Sequence, residues 1–242
     1  MAVNWQRTMM RVWGAHEFPV TVTSIEDVTT SYRRIGFDAG EFFVGRELYP
    51  TAWIRLWVPS LDNPEHLQQR GYTLVDPDPA TKRFSLEFVI HEPLGPAASW
   101  ALGAKVGDVV EIAMTPAKLM PDTGLGKFVL LGDASALAAI NSLLDYLPST
   151  TSTTVVFLAH GDDADQLPFR LHDGVELRFV GSGAEQLAVL RELNLDPADS
   201  YVWAAGERKD VAAIRQHIRN ELRLPRQQQH TQYHWIEGKP FG

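Results

Sequence analysis

Arg70-Gly71-Tyr72-Thr73 brings a guanidinium, a phenol ring and a hydroxyl together within four residues. Side chains alternate along a strand, so Arg70 and Tyr72 share one face. A guanidinium able to clamp a pyrophosphate then stands beside a ring able to pack on a flat heterocycle, with the Thr73 hydroxyl next to them. The plainer alternative is a strand with a surface Arg and a half-buried Tyr. Further along, His91 precedes Gly95-Pro96-Ala97-Ala98-Ser99-Trp100-Ala101. Gly95 and Pro96 suit a helix start, where unpaired N–H groups and the positive dipole end favour a phosphate, with Ser99 in the first turn. Read plainly, the same segment is a short helix whose Trp100 closes a sheet.

Two places in the second half come after apolar runs. Gly132-Asp133-Ala134-Ser135 stands where a strand gives way to a helix, the position at which α/β sheets place ligands. It lacks the full Gly-x-Gly-x-x-Gly, and Asp133 or Ser135 is equally suited to cap the helix. Trp203-Ala204-Ala205-Gly206-Glu207 likewise ends a strand with small residues that permit close approach, and Glu207 can also cap the next helix. His160, His172, His217, His230 and His234 form no His-x-x-x-His pair and no ligand-spaced cluster, so a metal site is not expected. No nucleophile signature is present.

The elements that must position these residues fall into two rhythms. From Pro19 to Met114 short runs alternate with period two, such as Trp53 to Val58 and Arg83 to His91. In the second run Phe84, Leu86, Phe88 and Ile90 share one face, and Ser85, Glu87 and His91 the other. A small antiparallel β-barrel is expected, with one helix at Gly95 to Gly103. The stretch from Met114 to Lys127 holds Pro116, Pro121, Gly124 and Gly126 and reads as a linker. After it, strands at Phe128–Leu131, Thr153–Ala159, Glu176–Val180 and Tyr201–Ala205 alternate with helices at Ser135–Tyr146, Ala184–Leu193 and Asp210–Leu222, which implies a parallel sheet covered by helices. The expected domains are 1–117 and 118–242, and the cleft between two such domains is where two cofactors or substrates meet.

The 242 residues suit one or two domains, and 45% apolar with 21% charged residues describes a cooperatively folding chain. Asp plus Glu outnumber Lys plus Arg by 30 to 22, a net charge of −8 that opposes binding to nucleic acid. With no cysteine, thiolate metal sites, iron–sulfur clusters and a catalytic thiol are excluded, so redox chemistry needs a cofactor. Met1 to Gly14 mixes Trp5, Met9, Met10, Val12 and Trp13 with Arg7 and Arg11, and reads as a helix packed on the domain or lying on a membrane or partner. No secretion signal or membrane-spanning run is visible, which makes the cytoplasm the default.

Arg70-x-Tyr72-Thr73, then Val89-x-His91, then Gly-Pro-Ala-x-Ser-Trp-Ala, in this spacing, resemble the siderophore-interacting protein family of ferredoxin-reductase-like flavoproteins. The resemblance continues through Gly132-Asp133, Trp203 to Glu207 and the aromatic C-terminal stretch. It implies FAD in the first domain, held by Arg70, Gly71, Tyr72, Thr73, Val89, His91 and the segment Gly95, Pro96, Ala97, Ala98, Ser99 and Trp100. It implies NADH or NADPH as electron donor in the second, near Asp133, Ser135, Gly206 and Glu207, with Trp235 against the cofactor. The implied activity is reduction of a ferric siderophore, with Arg55, Lys118 and Arg208 as candidate siderophore contacts and no side chain as acid, base or nucleophile.

Three departures from the family pattern stand out. Val75 and Asp76 leave the region after Thr73 without a second Arg, Ala134-Ser135 replaces Glu-Thr, and His234-Trp235-Ile236 replaces a Tyr-Trp-Arg-like end. Expected partners are the ferric siderophore and either a siderophore importer at the inner membrane, to which the protein would be peripheral, or a separate ferredoxin. A general flavin reductase or electron-transfer flavoprotein, and a siderophore-binding module without turnover, remain as alternatives.

Overall fold

The structure, a computed structural model, describes residues 17–114 and 119–239. The N-terminal helix expected within Met1 to Gly14, most of the linker's first part and Lys118 lie outside these residues. The chain divides into two units, with the division between Leu119 and Met120.

The first unit is built from β1 (Phe18–Thr29), β2 (Tyr32–Asp38), β3 (Trp53–Pro59), β4 (Leu67–Thr73), β5 (Val75–Asp78), β6 (Arg83–Val89), α1 (Pro96–Gly103) and β7 (Val109–Met114). The strands form one antiparallel sheet in the order β4-β3-β7-β1-β2-β6-β5. Its two edge strands are consecutive in the chain, joined by Leu74 alone, so the sheet must curl until its ends approach. That curl is the expected barrel, open at the β4–β5 corner. Its core is the alternate-residue set of each strand: Val20 and Val22, Ile35 and Phe37, Ile54 with Leu56 and Val58, Phe84 with Leu86 and Phe88, and Ile112. Ala97 and Ala101 of α1 pack onto the same core.

Glu87, on the face opposite Phe84, Leu86 and Phe88, is buried as well, at 7% exposure. The Tyr32 hydroxyl donates to its Oε2 at 2.7 Å, and Arg34 Nη2 and Nε donate to Oε1 at 2.6 and 3.0 Å. Strand alternation places Glu87 opposite to Phe88 correctly, but a strand cannot reveal that its second face is also covered.

The second unit is built from β8 (Lys127–Gly132), α2 (Leu137–Tyr146), β9 (Ser152–Leu158), β10 (Val175–Val180), α3 (Gly183–Glu192), β11 (Ser200–Glu207), α4 (Arg208–His217) and β12 (Gln229–Trp235). The five strands are parallel in the order β10-β9-β8-β11-β12. The chain runs outward from β8 through β9 to β10, then returns to β11 and β12, so the order reverses between β8 and β11. A π-helical turn, Ile218–Leu222, extends α4. Val129, Leu131, Val156, Val202 and Ala204 pack against Leu190 of α3 and Ile214 of α4. The opposite face meets α2, since a Cβ on Gly132 would lie 2.7 Å from Ala136 Cβ and 3.0 Å from Ile140.

β12 is the element that the sequence does not announce. Its residues, Gln-His-Thr-Gln-Tyr-His-Trp, are polar, and none is fully buried. It forms because backbone pairing to β11 from Val202 to Glu207 satisfies its N–H and C=O groups at an edge, where side chains need not be apolar. Among the described residues no helix is long and apolar enough to cross a membrane.

Arg34→Ala leaves the Glu87 carboxylate buried with only the Tyr32 hydroxyl, so it should destabilise the fold by about 2–4 kcal/mol, read as a lower urea midpoint. Glu87→Gln, which keeps a Tyr32 acceptor without the charge, should cost less.

Candidate functional site

In the first unit the candidate residues are set by the register of β4 on β3. Tyr72 faces Ile54, Arg70 faces Leu56 and Gln68 faces Val58, while Gly71 faces Arg55 and Thr73 faces Trp53. Directly opposed residues share a sheet face. Gln68, Arg70 and Tyr72 therefore project on the side of Ile54, Leu56 and Val58, at the edge of the sheet where the core opens. The Tyr72 ring lies 4.5 Å from that of Phe88, and Phe88 lies 5.8 Å from Trp100 of α1. These contacts make one aromatic wall from β4 through β6 to α1. Burial pushes the Tyr72 hydroxyl well above the usual phenol range, so the ring is a neutral, half-buried packing surface. Burial also draws the Arg70 guanidinium down from its ordinary value, without bringing it near discharge.

α1 begins at Gly95 with Pro96 in its first turn, and no side chain caps it. The Ser99 N–H closes the first turn onto the Gly95 carbonyl at 2.9 Å. The N–H groups of Ala97 and Ala98, in buried residues, thus receive no side-chain acceptor. Such a start suits an external anion. A guanidinium on β4, a neutral ring on the same face and, reached from that ring through Phe88 and Trp100, a helix with an uncapped start are groups that fit a dinucleotide with a flat heterocycle.

The remaining candidates of this unit are placed less centrally. Gly71 lies under the Trp53 ring, where a Cβ would stand 3.2 Å from Cζ3. Val89 ends β6 opposite Tyr32, on the face away from Phe88, and His91 lies beyond the strand end. Arg55 is on the opposite face from Arg70: its Nη1 donates to Gln69 Oε1 at 2.7 Å and its guanidinium stands 5.4 Å from the Trp53 ring centre. The structure does not bring it to the Arg70–Tyr72 face.

In the second unit Asp133 and Gly206 stand at the ends of β8 and β11, at the reversal of strand order where such sheets take ligands. Asp133 is 3% exposed and fully engaged. Its Oδ1 accepts from the Ser135 N–H at 2.9 Å and the Ser135 hydroxyl at 2.5 Å, and its Oδ2 from Trp235 Nε1 at 2.7 Å. Gly206 has φ +148°, and a Cβ there would stand 2.9 Å from Asp133 Oδ2, so only glycine fits beside that carboxylate. His234 adds a second tie: its Nδ1 is 3.1 Å from the Ser135 carbonyl oxygen, a geometry that requires the hydrogen on Nδ1.

Glu207 caps α4, its Oε2 accepting from the Lys209 and Asp210 N–H groups, and its Oε1 accepts from the Glu237 N–H at 3.2 Å. Ser182 caps α3 through the Glu185 N–H. The starts of α3 and α4, and the short turn before α2, are thus closed by the chain's own side chains. Arg208 stands 5.9 Å from the Tyr233 ring centre, exposed on α4. Asp210 is held above the usual carboxylate range by burial first and by the nearby Glu207 and Asp133 second. Burial holds His230 and His234 below the usual imidazole value. Among the described residues no group of three or more His, Cys, Asp or Glu is placed to hold a metal ion.

Sequence patterns alone reach Arg70, Tyr72 and the start of α1. They miss Gln68 and Gln69, whose amide oxygens accept from Arg70 and Arg55, and Ser60, whose hydroxyl accepts from the Gln68 amide. Glutamine and serine carry no distinctive spacing, and only the i, i+2 position of Gln68 relative to Arg70 hints at a contact.

Residues 125–238 match the family model described as siderophore-interacting protein, and residues 53–118 that described as siderophore-interacting FAD-binding domain. The mycobactin import ATP-binding/permease protein IrtA of Mycolicibacterium smegmatis is 31% identical over 246 residues, covering 100% of this chain, which spans only 28% of that protein. Ferric vibriobactin reductase ViuB of Vibrio cholerae is 26% identical over 186 residues, covering 73% of this chain and 68% of ViuB. The crystal structure of the siderophore-interacting protein SipS from Aeromonas hydrophila superposes with a TM-score of 0.81 at 26% identity, covering 93% of each chain. Ferredoxin-NADP+ reductase from Plasmodium falciparum superposes with a TM-score of 0.69 at 11% identity, over 90% of this chain and 96% of that one, a likeness of fold alone.

Asp133→Ala removes the acceptor of three donors at once and should cost about 2–3 kcal/mol by urea unfolding, with Asp133→Asn costing less. The two histidines give a pH dependence with a definite sign. Their folded values lie below the 6.5 of a free imidazole, so the unfolded chain takes up protons first as pH falls through that value. Stability is therefore full above it and lost below, and the fall in urea midpoint between about pH 7 and pH 5 should be shallower in His230→Gln/His234→Gln.

Proposed function

We propose that this chain, which belongs to the siderophore-interacting protein family and carries its FAD-binding domain, is a ferric-siderophore reductase that takes electrons from NADH or NADPH. The observation that carries the reading is the placing of Arg70 and Tyr72 on one face of β4, with Tyr72 linked through Phe88 to Trp100 of α1, a helix whose start is uncapped. The similarity to a ferric vibriobactin reductase supports the acceptor.

Bound FAD supplies two-electron acceptance from a nicotinamide and one-electron delivery to iron. The chain's residues bind and orient. Arg70 would hold the pyrophosphate, together with the Ala97 and Ala98 N–H groups and Ser99 at the start of α1. Tyr72, with its neutral ring, would pack against the isoalloxazine, and Thr73 would offer a hydroxyl beside it. No side chain of the site has to pass a proton for electrons to move. The substrate changes because hard oxygen ligands hold the smaller, more charged ferric ion far better than the ferrous ion, so reduction loosens the chelate without breaking it.

Siderophore contacts belong to cationic side chains, and the overall charge of −8 requires them to be local. Arg208, exposed beside Tyr233, has that character. Arg55 is engaged with Gln69 and Trp53, and would have to exchange Gln69 for a chelate oxygen. The reaction belongs in the cytoplasm, with the chain free or peripheral to the inner membrane, and the similarity to a mycobactin importer supports an importer as partner.

A second reading concerns the donor alone. Ser182 and Glu207 already close the starts of α3 and α4, Asp133 closes the short turn before α2, and two of the three are carboxylates, which disfavours a dinucleotide pyrophosphate at these places. That favours a reduced ferredoxin as donor.

The deciding experiment is anaerobic absorbance on protein loaded with FAD. Bleaching by NADH or NADPH followed by reoxidation on adding a ferric siderophore, with ferrous iron trapped, is expected. Bleaching only by reduced ferredoxin would select the second donor, and a reduced flavin that ignores ferric chelates would overturn the acceptor. Arg70→Ala should weaken FAD binding by about 10- to 100-fold, read by flavin fluorescence titration.

A further inference from the structure

We infer that Gln68, anchored by Ser60, is a positioning residue that presets the Arg70 guanidinium for the FAD pyrophosphate. The inference rests on the reading that Arg70 binds that pyrophosphate.

Gln68 and Arg70 are two apart on β4 and so project on one face, opposite Val58 and Leu56. Arg70 Nη2 donates to Gln68 Oε1 at 3.0 Å, and Gln68 Nε2 donates to Ser60 Oγ at 2.9 Å. The orientation of the amide is dictated by chemistry. Arginine has only donors, so the amide oxygen must face Arg70 and the nitrogen must turn to a hydroxyl acceptor. Ser60 is 7% exposed and fixed in the β3–β4 hairpin, where its N–H donates to the His66 carbonyl at 2.8 Å. The chain of bonds therefore runs from the hairpin backbone through a buried hydroxyl and a fixed amide to the guanidinium.

A second bond holds the other arm: Arg70 Nη1 donates to the Gln69 carbonyl at 2.7 Å. Two of five guanidinium hydrogens are thereby used, and the rest remain for a ligand. An arginine free to rotate loses much side-chain freedom on gripping a phosphate, whereas one already held loses little. The neighbouring residue shows that the arrangement is selective by face. Gln69 uses its side chain on Arg55 of β3, on the opposite face of the sheet, and contributes only its backbone carbonyl to Arg70.

The test compares FAD with riboflavin, which has the ring system and no pyrophosphate. Gln68→Met keeps the length of the side chain and removes both hydrogen-bonding ends. It should weaken FAD binding about tenfold, leave riboflavin binding within about twofold, and leave the melting temperature of the flavin-free protein unchanged. In an Arg70→Ala background Gln68→Met should add nothing, because there is no guanidinium left to position. Ser60→Ala should give the same pattern more weakly, and it carries the comparison if Gln68→Met does not fold. Unchanged FAD affinity in the variants, equal losses for FAD and riboflavin, or losses that add in the Arg70→Ala background would each overturn the inference. Arg70→Ala binding FAD as well as the native chain would instead overturn the reading on which it rests.

Discussion

The register of β4 on β3 is the constraint on which the first unit's site depends. Because side chains alternate, a slip of one residue would turn Gln68, Arg70 and Tyr72 to the outer face and bring Gln69, Gly71 and Thr73 in. The apolar partners prevent it: Ile54, Leu56 and Val58 are core residues, and the residues of β4 opposite them must share their face. A polar edge strand thus acquires its orientation from the buried strand beside it. The aromatic wall then fixes depth, since Tyr72 reaches Phe88 and Phe88 reaches Trp100 on α1.

The two units differ in how far their own side chains serve the unpaired N–H groups of helix starts. In the first, Gly95 and Pro96 begin α1 with no side-chain acceptor. In the second, Asp133 serves the turn before α2, Ser182 serves α3 and Glu207 serves α4. Every such group wants an acceptor, and the difference is whether the chain supplies it. Where it does, the carboxylates also act as ties: Asp133 holds Trp235 and Glu207 holds the backbone of Glu237. These bonds explain why a polar C-terminal segment is ordered along an edge of the sheet.

Much of the fold was legible in the sequence. The apolar period of two through Phe84, Leu86 and Phe88, and the unbroken run Phe128 to Leu131, announced an antiparallel half and a parallel half, because burial on one face or two leaves different patterns. Gly95-Pro96 announced the start of α1 to within a residue. The features that escaped had no local signature. Glu87 looks solvated until Arg34 and Tyr32 close over it, and β12 looks like a polar tail until β11 offers it a pairing edge.

By itself, the sequence determined which residue types were available for chemistry: no thiol, an Arg and a Tyr that any strand would place on one face, and a helix start without a capping side chain. It determined these because alternation and capping are local rules. Only the tertiary structure decided that Arg55 does not share the face of Arg70 and Tyr72. Arg55 and Arg70 are both strand residues held by a glutamine, yet the register of β4 on β3 sends them to opposite faces. It also decided that Asp133 and Glu207 spend their carboxylates on the chain itself, since a carboxylate's partners are set by the groups that the fold brings within about 3 Å of it.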